Sequence, residues 1–374
     1  MVLGEMSKVL TGNSYPYSFN TPRNSKHLLS RTKFILYQGR FWRPAEGIAL
    51  WKPLKEKHDL IHTFNGIVLT KVPWIVTFES ILPRTIGRAS SKLQFVLREK
   101  LLQENCKQII AISDYALRRF EVFNQDWQSL DVVKKKIIKI PPNVILYTDK
   151  PKKYTPGEVI NLVFIGNDFA RKGGVVALRV ADKAKGLGLP IRLHIISSMN
   201  YGPQVYTDCF DKQKYNKDLE LLTSSNIVFH GEIPNSEVLD ILGKSHFHLL
   251  PTLDDTYGYS VLESFSCGTP VITTNVCALP EIVHNAGNGI VVDLEITSIG
   301  QWELLKERSS NNYWNMLSDV FESLADQIII ALSDVINNPH TYNIMSEGAI
   351  RQISSFHHSG DTGMRIDNIY SECI

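Results

Sequence analysis

Five cysteines (Cys106, Cys209, Cys267, Cys277 and Cys373) are scattered through 374 residues without a C-x-x-C pair. That scarcity argues against a disulfide framework or a cysteine-ligated zinc site and fits a reducing compartment. No apolar run approaches the ~18 residues of a membrane span. The first residues, MVLGEMSKVLTGNSYPYSF, lack the apolar stretch of a secretory leader, so a cytoplasmic location is expected. The glycine-rich phosphate loop G-x-x-x-x-G-K-[ST] is missing. So is any Asp-x-Asp triplet, the usual grip on a metal-bound diphosphate. There is no low-complexity tract and no short-period repeat. No aromatic-interleaved basic motif points to nucleic acid.

What is present is the composition of a globular chain, 43% hydrophobic and 21% charged, long enough for two domains. The net charge of +2 hides an asymmetry. Residues 1–150 carry 24 Lys and Arg against 12 Asp and Glu, while the remainder carries 16 against 26. A basic half joined to an acidic half suits an anionic partner for the first: a membrane surface, a phosphorylated acceptor or nucleic acid. The plainer reading is a set of solvated lysines.

In the second half, short β-rich runs alternate with helical patterns. INLVFIG (Ile160–Gly166), IRLHIIS, NIVFHG, SHFHLLPT, PVITTN and GIVVDL read as strands. Between them lie helix-like stretches: Val175–Lys185, Tyr215–Leu222, Ser236–Leu242, Val261–Cys267 and Leu279–His284. Such alternation predicts βαβ units and a parallel sheet covered on both faces. The first half repeats it more weakly, with TKFILYQ, DLIHTFN, PWIVTFE and QIIAIS as strands and Arg88–Glu104 as a basic helix. A Pro- and Lys-rich stretch near residues 143–158 reads as the linker. Residues 302–374 read as mostly helical, around a polar piece, QWELLKERSSNNYWNM. The expected architecture is α/β: two Rossmann-like domains facing a cleft, with ligands at the carboxyl ends of the strands. The expected domains are 1–150, 151–355 and a closing helix, 356–374, that returns to the first.

Two stretches carry chemistry. In PTLDDTYGYSVLESFSCGTPVI (Pro251–Ile272), Ser260 and Glu263 fit a capping box at a helix start, and Gly268 fits its C-terminal stop. Capping alone would explain Glu263. The same geometry also offers free N–H groups and a positive dipole end, which suit a diphosphate. Asp255 lies before that helix and Glu263 in its first turn. Two acceptors flanking one anion site match a ligand with hydroxyls at both ends, as in a nucleotide-sugar, and Gly258 allows close backbone approach. The second stretch, FIGNDFARKGG (Phe164–Gly174), follows a strand and opens a helix. Arg171 and Lys172 there can neutralise a diphosphate, although a basic pair in a glycine-rich loop is often merely solvated.

Together these stretches resemble the retaining glycosyltransferases of family 4, which have the GT-B fold. DTYGYSVLESFSCGTPVI resembles their E-x7-E signature, with Asp255 and Glu263 in the acidic places, and ARKGG resembles their arginine–lysine–glycine loop. AISDYALRRF (Ala111–Phe120), IPPNVI (Ile140–Ile145) and the tail RIDNIYSECI are similar to further pieces in the same order. The resemblance covers 105–293 and is vague before 60 and over 295–335. It implies transfer of a sugar from a nucleotide-diphosphate donor with retention. It gives Glu263 to the donor ribose, Asp255 to the sugar hydroxyls, and Lys172 with Arg171 to the diphosphate. The donor-binding set is then Gly166, Asn167, Arg171, Lys172, Tyr257, Gly258, Tyr259, Ser260 and Glu263. The catalytic set is Asp255, Lys172, Arg171 and Glu79.

Three positions depart from the family pattern. Asn167 stands where Arg usually follows the glycine, so Arg171 is expected to compensate. Asp255 is one methylene shorter than the usual Glu. Glu79 stands after PWIVTFES where a His is common, and it also reads as a plain surface carboxylate. His62 reads as a packed or solvated histidine. No cofactor and no metal are expected, the basic pair and the helix dipole standing in for a cation. The implied partners are a nucleotide-sugar donor and a glycan or lipid-linked acceptor, and nucleic acid is not expected. An anionic membrane surface, at the inner face of the membrane, is the candidate partner of Arg84 and the basic helix (Arg88, Lys92, Leu93, Val96, Leu97, Arg98, Lys100, Leu101). The rival readings are a non-catalytic donor-binding or regulatory subunit, and a nucleotide-sugar epimerase or phosphorylase on the same fold.

Overall fold

The computed structural model describes residues 6–36, 47–50, 57–85 and 91–374. The chain divides into two compact units. One comprises residues up to Ile145 together with Phe356–Ile374; the other is Leu146–Ser355.

The first unit holds a six-stranded parallel sheet built from β1 (Lys8–Gly12), β2 (Leu28–Thr32), β5 (Leu60–Phe64), β6 (Trp74–Phe78), β7 (Cys106–Ala111) and β8 (Ile137–Lys139). Their order is β2-β1-β5-β6-β7-β8. β3 (Ile35–Leu36) and β4 (Ala49–Leu50) form a separate antiparallel pair. Successive residues on a strand point to opposite faces. Here both faces are buried: Ile61, Val76 and Ile109 enter one core with Trp74, Leu97 and Phe120, while Leu60, Ile75 and Ile110 enter another. The C-terminal helix Ser359–Cys373 closes that second core with Ile366, Ile369 and Tyr370, so the tail returns to the first unit as expected. Tyr370 Oη hydrogen-bonds His62 Nδ1 at 2.7 Å, and Thr77 takes Nε2 at 2.8 Å. His62 is a packed histidine, its pKa held down to about 3 by burial.

The second unit holds β9 (Ile160–Ile165), β10 (Ile191–Ile196), β11 (Ile227–Gly231), β12 (Phe247–Leu250), β13 (Val271–Thr274) and β14 (Gly289–Val292). All pair in parallel, in the order β11-β10-β9-β12-β13-β14. The chain starts in the middle, builds outward to β11, then crosses back to β12 beside β9. Neighbouring strands β9 and β12 therefore send their following loops in opposite directions, which opens a crevice at their carboxyl ends.

Several expectations are corrected. TKFILYQ holds a strand of only two residues, and not one of the parallel sheet: Ile35–Leu36 lies in the separate antiparallel pair, and the last residues of the stretch fall outside the described ones. Tyr215–Leu222 is not one helix, because α-helix Asn216–Glu220 is tightened by 3₁₀ turns at both ends. The basic helix is described from Ser91 to Leu102, and Arg88 lies outside the described residues. Arg98 on that helix faces inward. It donates to Asn124 Oδ1, to the Phe123 carbonyl and to both carboxylate oxygens of Asp126. Val96 is exposed beside Phe95, while Leu97 and Leu101 are buried.

Candidate functional site

The site grows from the loops that leave β9 and β12. Residues 166–173 lead from β9 into helix Gly174–Gly186, and residues 251–258 lead from β12 into helix Tyr259–Ser266. The loops are stitched together: the Arg171 carbonyl accepts from Leu253 N (2.8 Å) and Thr252 Oγ1 (3.0 Å). Contact is so close that a Cβ at Gly173 would lie 2.3 Å from the Pro251 carbonyl oxygen, and Gly173 also has φ +92°. Only glycine meets both demands.

Helix Tyr259–Ser266 does not begin with the expected capping box. Asp255 Oδ1 accepts from Gly258 N (3.2 Å), and Gly258, at φ +80° and ψ 61°, is itself the N-cap. That turn starts the helix before Ser260 could cap it, so Ser260 sits within the first turn. Glu263 turns away from its own helix end to accept from Asn235 Nδ2 at 3.0 Å. At the other end Gly268 N donates to Phe265 O and Thr269 N to Ser264 O, the paired stop that Gly268 foreshadows.

Lys172 reaches across from the β9 loop and pairs with Asp255 Oδ2. The side chains are only 19% and 12% exposed. Burial alone would raise the Asp255 pKa. The Lys172 charge and hydrogen bond, with help from Arg171 and the Gly258 N–H, outweigh it and hold the carboxyl below its usual range. Glu263 shows the opposite balance: burial lifts its pKa, and the Asn235 amide recovers only part. The first-turn N–H groups of helix Tyr259–Ser266, which follow Asp255, are of the kind that can hold an anion.

Arg171 lies differently. Its Nε and Nη2 both donate to Asp168 Oδ2 (3.1 and 2.8 Å), and Nη1 donates to the Asp254 carbonyl at 2.5 Å. Its guanidinium sits 5.8 Å from the Tyr206 ring centroid. Asn167 accepts from Ser198 N through its side chain and from Asn200 N through its carbonyl. Gly166 makes room for the Lys172 stem, which lies 2.7 Å from where a Cβ would stand. Tyr257 is buried against Tyr259, ring centroids 5.8 Å apart. Reading the sequence did not find Asp168, Tyr206, Asp254 or Asn235. The doubled acid Asp254–Asp255 was the one local signal for any of them.

Glu79 stands in the first unit, just past β6. Its carboxylate accepts from Asn65 Nδ2 (2.9 Å) and lies 3.4 Å from Arg84 Nη1, while its own N–H donates to Asn65 Oδ1. Asn65, just past β5, adopts φ 57°, a conformation Asn tolerates better than most residues. Among the described residues, no three His, Cys, Asp or Glu side chains gather into a metal-sized cluster. No described helix is long and apolar enough to cross a membrane.

A phosphatidylinositol N-acetylglucosaminyltransferase GPI3 subunit of Saccharomyces cerevisiae is 25% identical over 159 residues, 40% of this chain and 33% of that protein. A D-inositol 3-phosphate glycosyltransferase of Rhodococcus erythropolis is 23% identical over 241 residues, 62% of this chain and 51% of that protein. The chain thus spans a third to a half of the length of these curated relatives. Among solved structures, a glycosyltransferase from Rickettsia africae aligns with TM-score 0.61 at 14% identity, over 99% of both chains. Anabaena HepE, solved with UDP-glucose, aligns with TM-score 0.59 at 13% identity, over 98% of this chain and 99% of that one. The chain has the two-domain α/β Rossmann-like fold of these structures, and residues 148–303, which contain both loops of the site, match the family model described as glycosyl transferases group 1.

Proposed function

We propose that this protein is a retaining, metal-independent glycosyltransferase that moves a sugar from a nucleotide-diphosphate donor to a glycan or lipid-linked acceptor. The observation that carries the reading is the Lys172–Asp255 pair before helix Tyr259–Ser266 at the β9/β12 crevice, with the buried Glu263 just past the first turn of that same helix. Glu263 takes the ribose hydroxyls and Asp255 the hydroxyls of the donor sugar. The diphosphate lies between them on the helix N–H groups and Lys172. As the bond from the sugar to the diphosphate breaks, negative charge grows on the departing phosphate oxygen. A preorganised ammonium and helix end stabilise that charge most where water is excluded. The acceptor oxygen attacks the same face, and its proton passes to the departing phosphate. Arg171 acts in this reading as a brace that fixes Lys172, since its donors are engaged with Asp168 and Asp254. Glu79, held by Asn65 and Arg84, is the candidate acceptor-side residue and takes no proton in this reading. A cytoplasmic location belongs to the same proposal, as does an anionic lipid surface for the exposed Phe95 and Val96 with Lys92.

The test is a thermal-shift screen against nucleoside diphosphates and their sugars, followed by product analysis. A true ligand at one hundred times its Kd stabilises by about 2.7 kcal/mol. Slow donor hydrolysis with retained anomeric configuration supports the proposal. Binding without hydrolysis supports the non-catalytic subunit, and no stabilisation by any nucleotide overturns both.

A further inference from the structure

Asn235 opens helix Asn235–Lys244, yet its side chain does not cap that helix, whose N-cap is Pro234 without a side-chain bond. Asparagine is among the best capping residues, and here it sits one position too late to serve. Its amide nitrogen instead donates to Glu263 Oε1, on a helix 28 residues further along the chain. An ionised carboxylate only accepts, so the amide nitrogen must face it. Glu263 is 8% exposed, and among the described residues the Asn235 amide is the one hydrogen-bond donor to its side chain. A carboxylate has about four lone-pair sites, and one donor leaves most of them open in a place where water cannot readily fill them.

We infer that Asn235 is the positioning residue of the nucleoside end of the site: it fixes the Glu263 carboxylate by one oxygen so that the other is presented to the vicinal hydroxyls of a ribose. The inference rests on the proposed donor site and adds a residue to it. Asn235 does its work by orienting Glu263 and by keeping it ionised in a buried place. The other ionisable groups near this carboxylate are the Cys267 thiol and, beside that thiol, Asp240 and Lys152. Burial raises the Glu263 pKa, and the Asn235 amide opposes the rise. Ribose binding needs the carboxylate form, so affinity falls as pH falls through the Glu263 pKa. Removing the amide moves that fall to higher pH.

Asn235 is exposed, so its variants should fold. UDP and GDP are titrated calorimetrically from pH 5 to 8 into the whole chain and into Asn235→Ala, Asn235→Asp and Glu263→Gln. In parallel, the Glu263 carboxyl is titrated by carbon-13 NMR. The expected result is about tenfold weaker nucleotide binding in Asn235→Ala at neutral pH, the scale of a lost hydrogen bond to a charged group. Its midpoint in pH moves upward, together with the NMR titration. Asn235→Asp should be worse than Asn235→Ala, because it sets a second carboxylate against Glu263. A merely structural role predicts the reverse order, since Asp is the closer match in shape. If Glu263→Gln loses affinity while both Asn235 variants keep the parent's affinity and midpoint, the inference is overturned and the donor site stands. If the parent binds neither nucleotide, or Glu263→Gln binds as tightly as the parent, the donor site falls and the inference falls with it.

Discussion

Replacing Lys172 with Met leaves Asp255 with its nearest countercharge gone. Exposed ion pairs are worth roughly 0–1 kcal/mol, whereas breaking a buried pair costs about 3–5 kcal/mol because a bare charge is left behind. With side chains 19% and 12% exposed, this pair lies near the buried limit. The expected loss at pH 7 is therefore about 3 kcal/mol, a large share of the ~5–15 kcal/mol that holds a domain together. The loss should depend on pH. In the parent, the Asp255 pKa is depressed, so its contribution is present above the ordinary Asp value and fades as pH falls below it. In Lys172→Met, burial is no longer outweighed and the pKa rises. Acidification then protonates Asp255, and the gap to the parent narrows. Asp255→Asn removes the stranded charge, so the double variant should recover about 1–3 kcal/mol relative to the sum of the singles. Urea titrations of the four proteins at pH 7 and pH 5, read as a double-mutant cycle, measure this. Additivity within about 0.5 kcal/mol at both pH values would refute the coupling. A functional arm follows from the same geometry: Asp255→Asn frees Lys172, so UDP should bind more tightly while sugar transfer falls.

Glu263→Gln should weaken nucleotide binding and leave the urea midpoint nearly unchanged, because no capping box is lost; a normal Kd in the folded variant removes the ribose assignment. Arg171→Lys should lower kcat/KM and thermal stability together, since an ammonium cannot reproduce the planar fork that spans Asp168 and the Asp254 carbonyl. A change in donor KM alone would instead make Arg171 a direct diphosphate ligand. Phe95→Ser with Val96→Ser should reduce co-sedimentation with anionic vesicles, and high salt should weaken the parent's binding, each nearby Lys or Arg contributing roughly 1 kcal/mol. Equal binding to anionic and neutral vesicles, or none to either, removes the membrane role.

Much of the second unit was legible because buried parallel strands leave a strong local mark. INLVFIG and SHFHLLPT are short apolar runs bounded by turn residues, and β9 and β12 fall within them. Gly173, Gly258 and Gly268 announced turns for the same local reason: each occupies a positive φ that penalises a side chain. β1 and β2 were missed, since Lys8–Gly12 and Leu28–Thr32 mix polar and apolar residues, and β2 lies at the edge of the sheet. Arg98 was misplaced because helical spacing cannot know that Asn124 and Asp126 wait on the inner side.

The residue types at the site follow from the sequence: two acids eight positions apart, a basic pair before glycines, and helix starts after strands. Those are facts of neighbouring residues, and local chain geometry is enough to place them. Which partner each side chain takes was decided by tertiary structure alone. Lys172 meets Asp255 and Arg171 meets Asp254 across 83 residues of chain, and Asn235 meets Glu263 across 28. Such meetings depend on strand order, and only the crossing from β11 back to β12 brings the two loops together. A carboxylate's charge state is set by the burial and the partners found there, which is why Asp255 and Glu263, alike in sequence, have pKa values pushed in opposite directions.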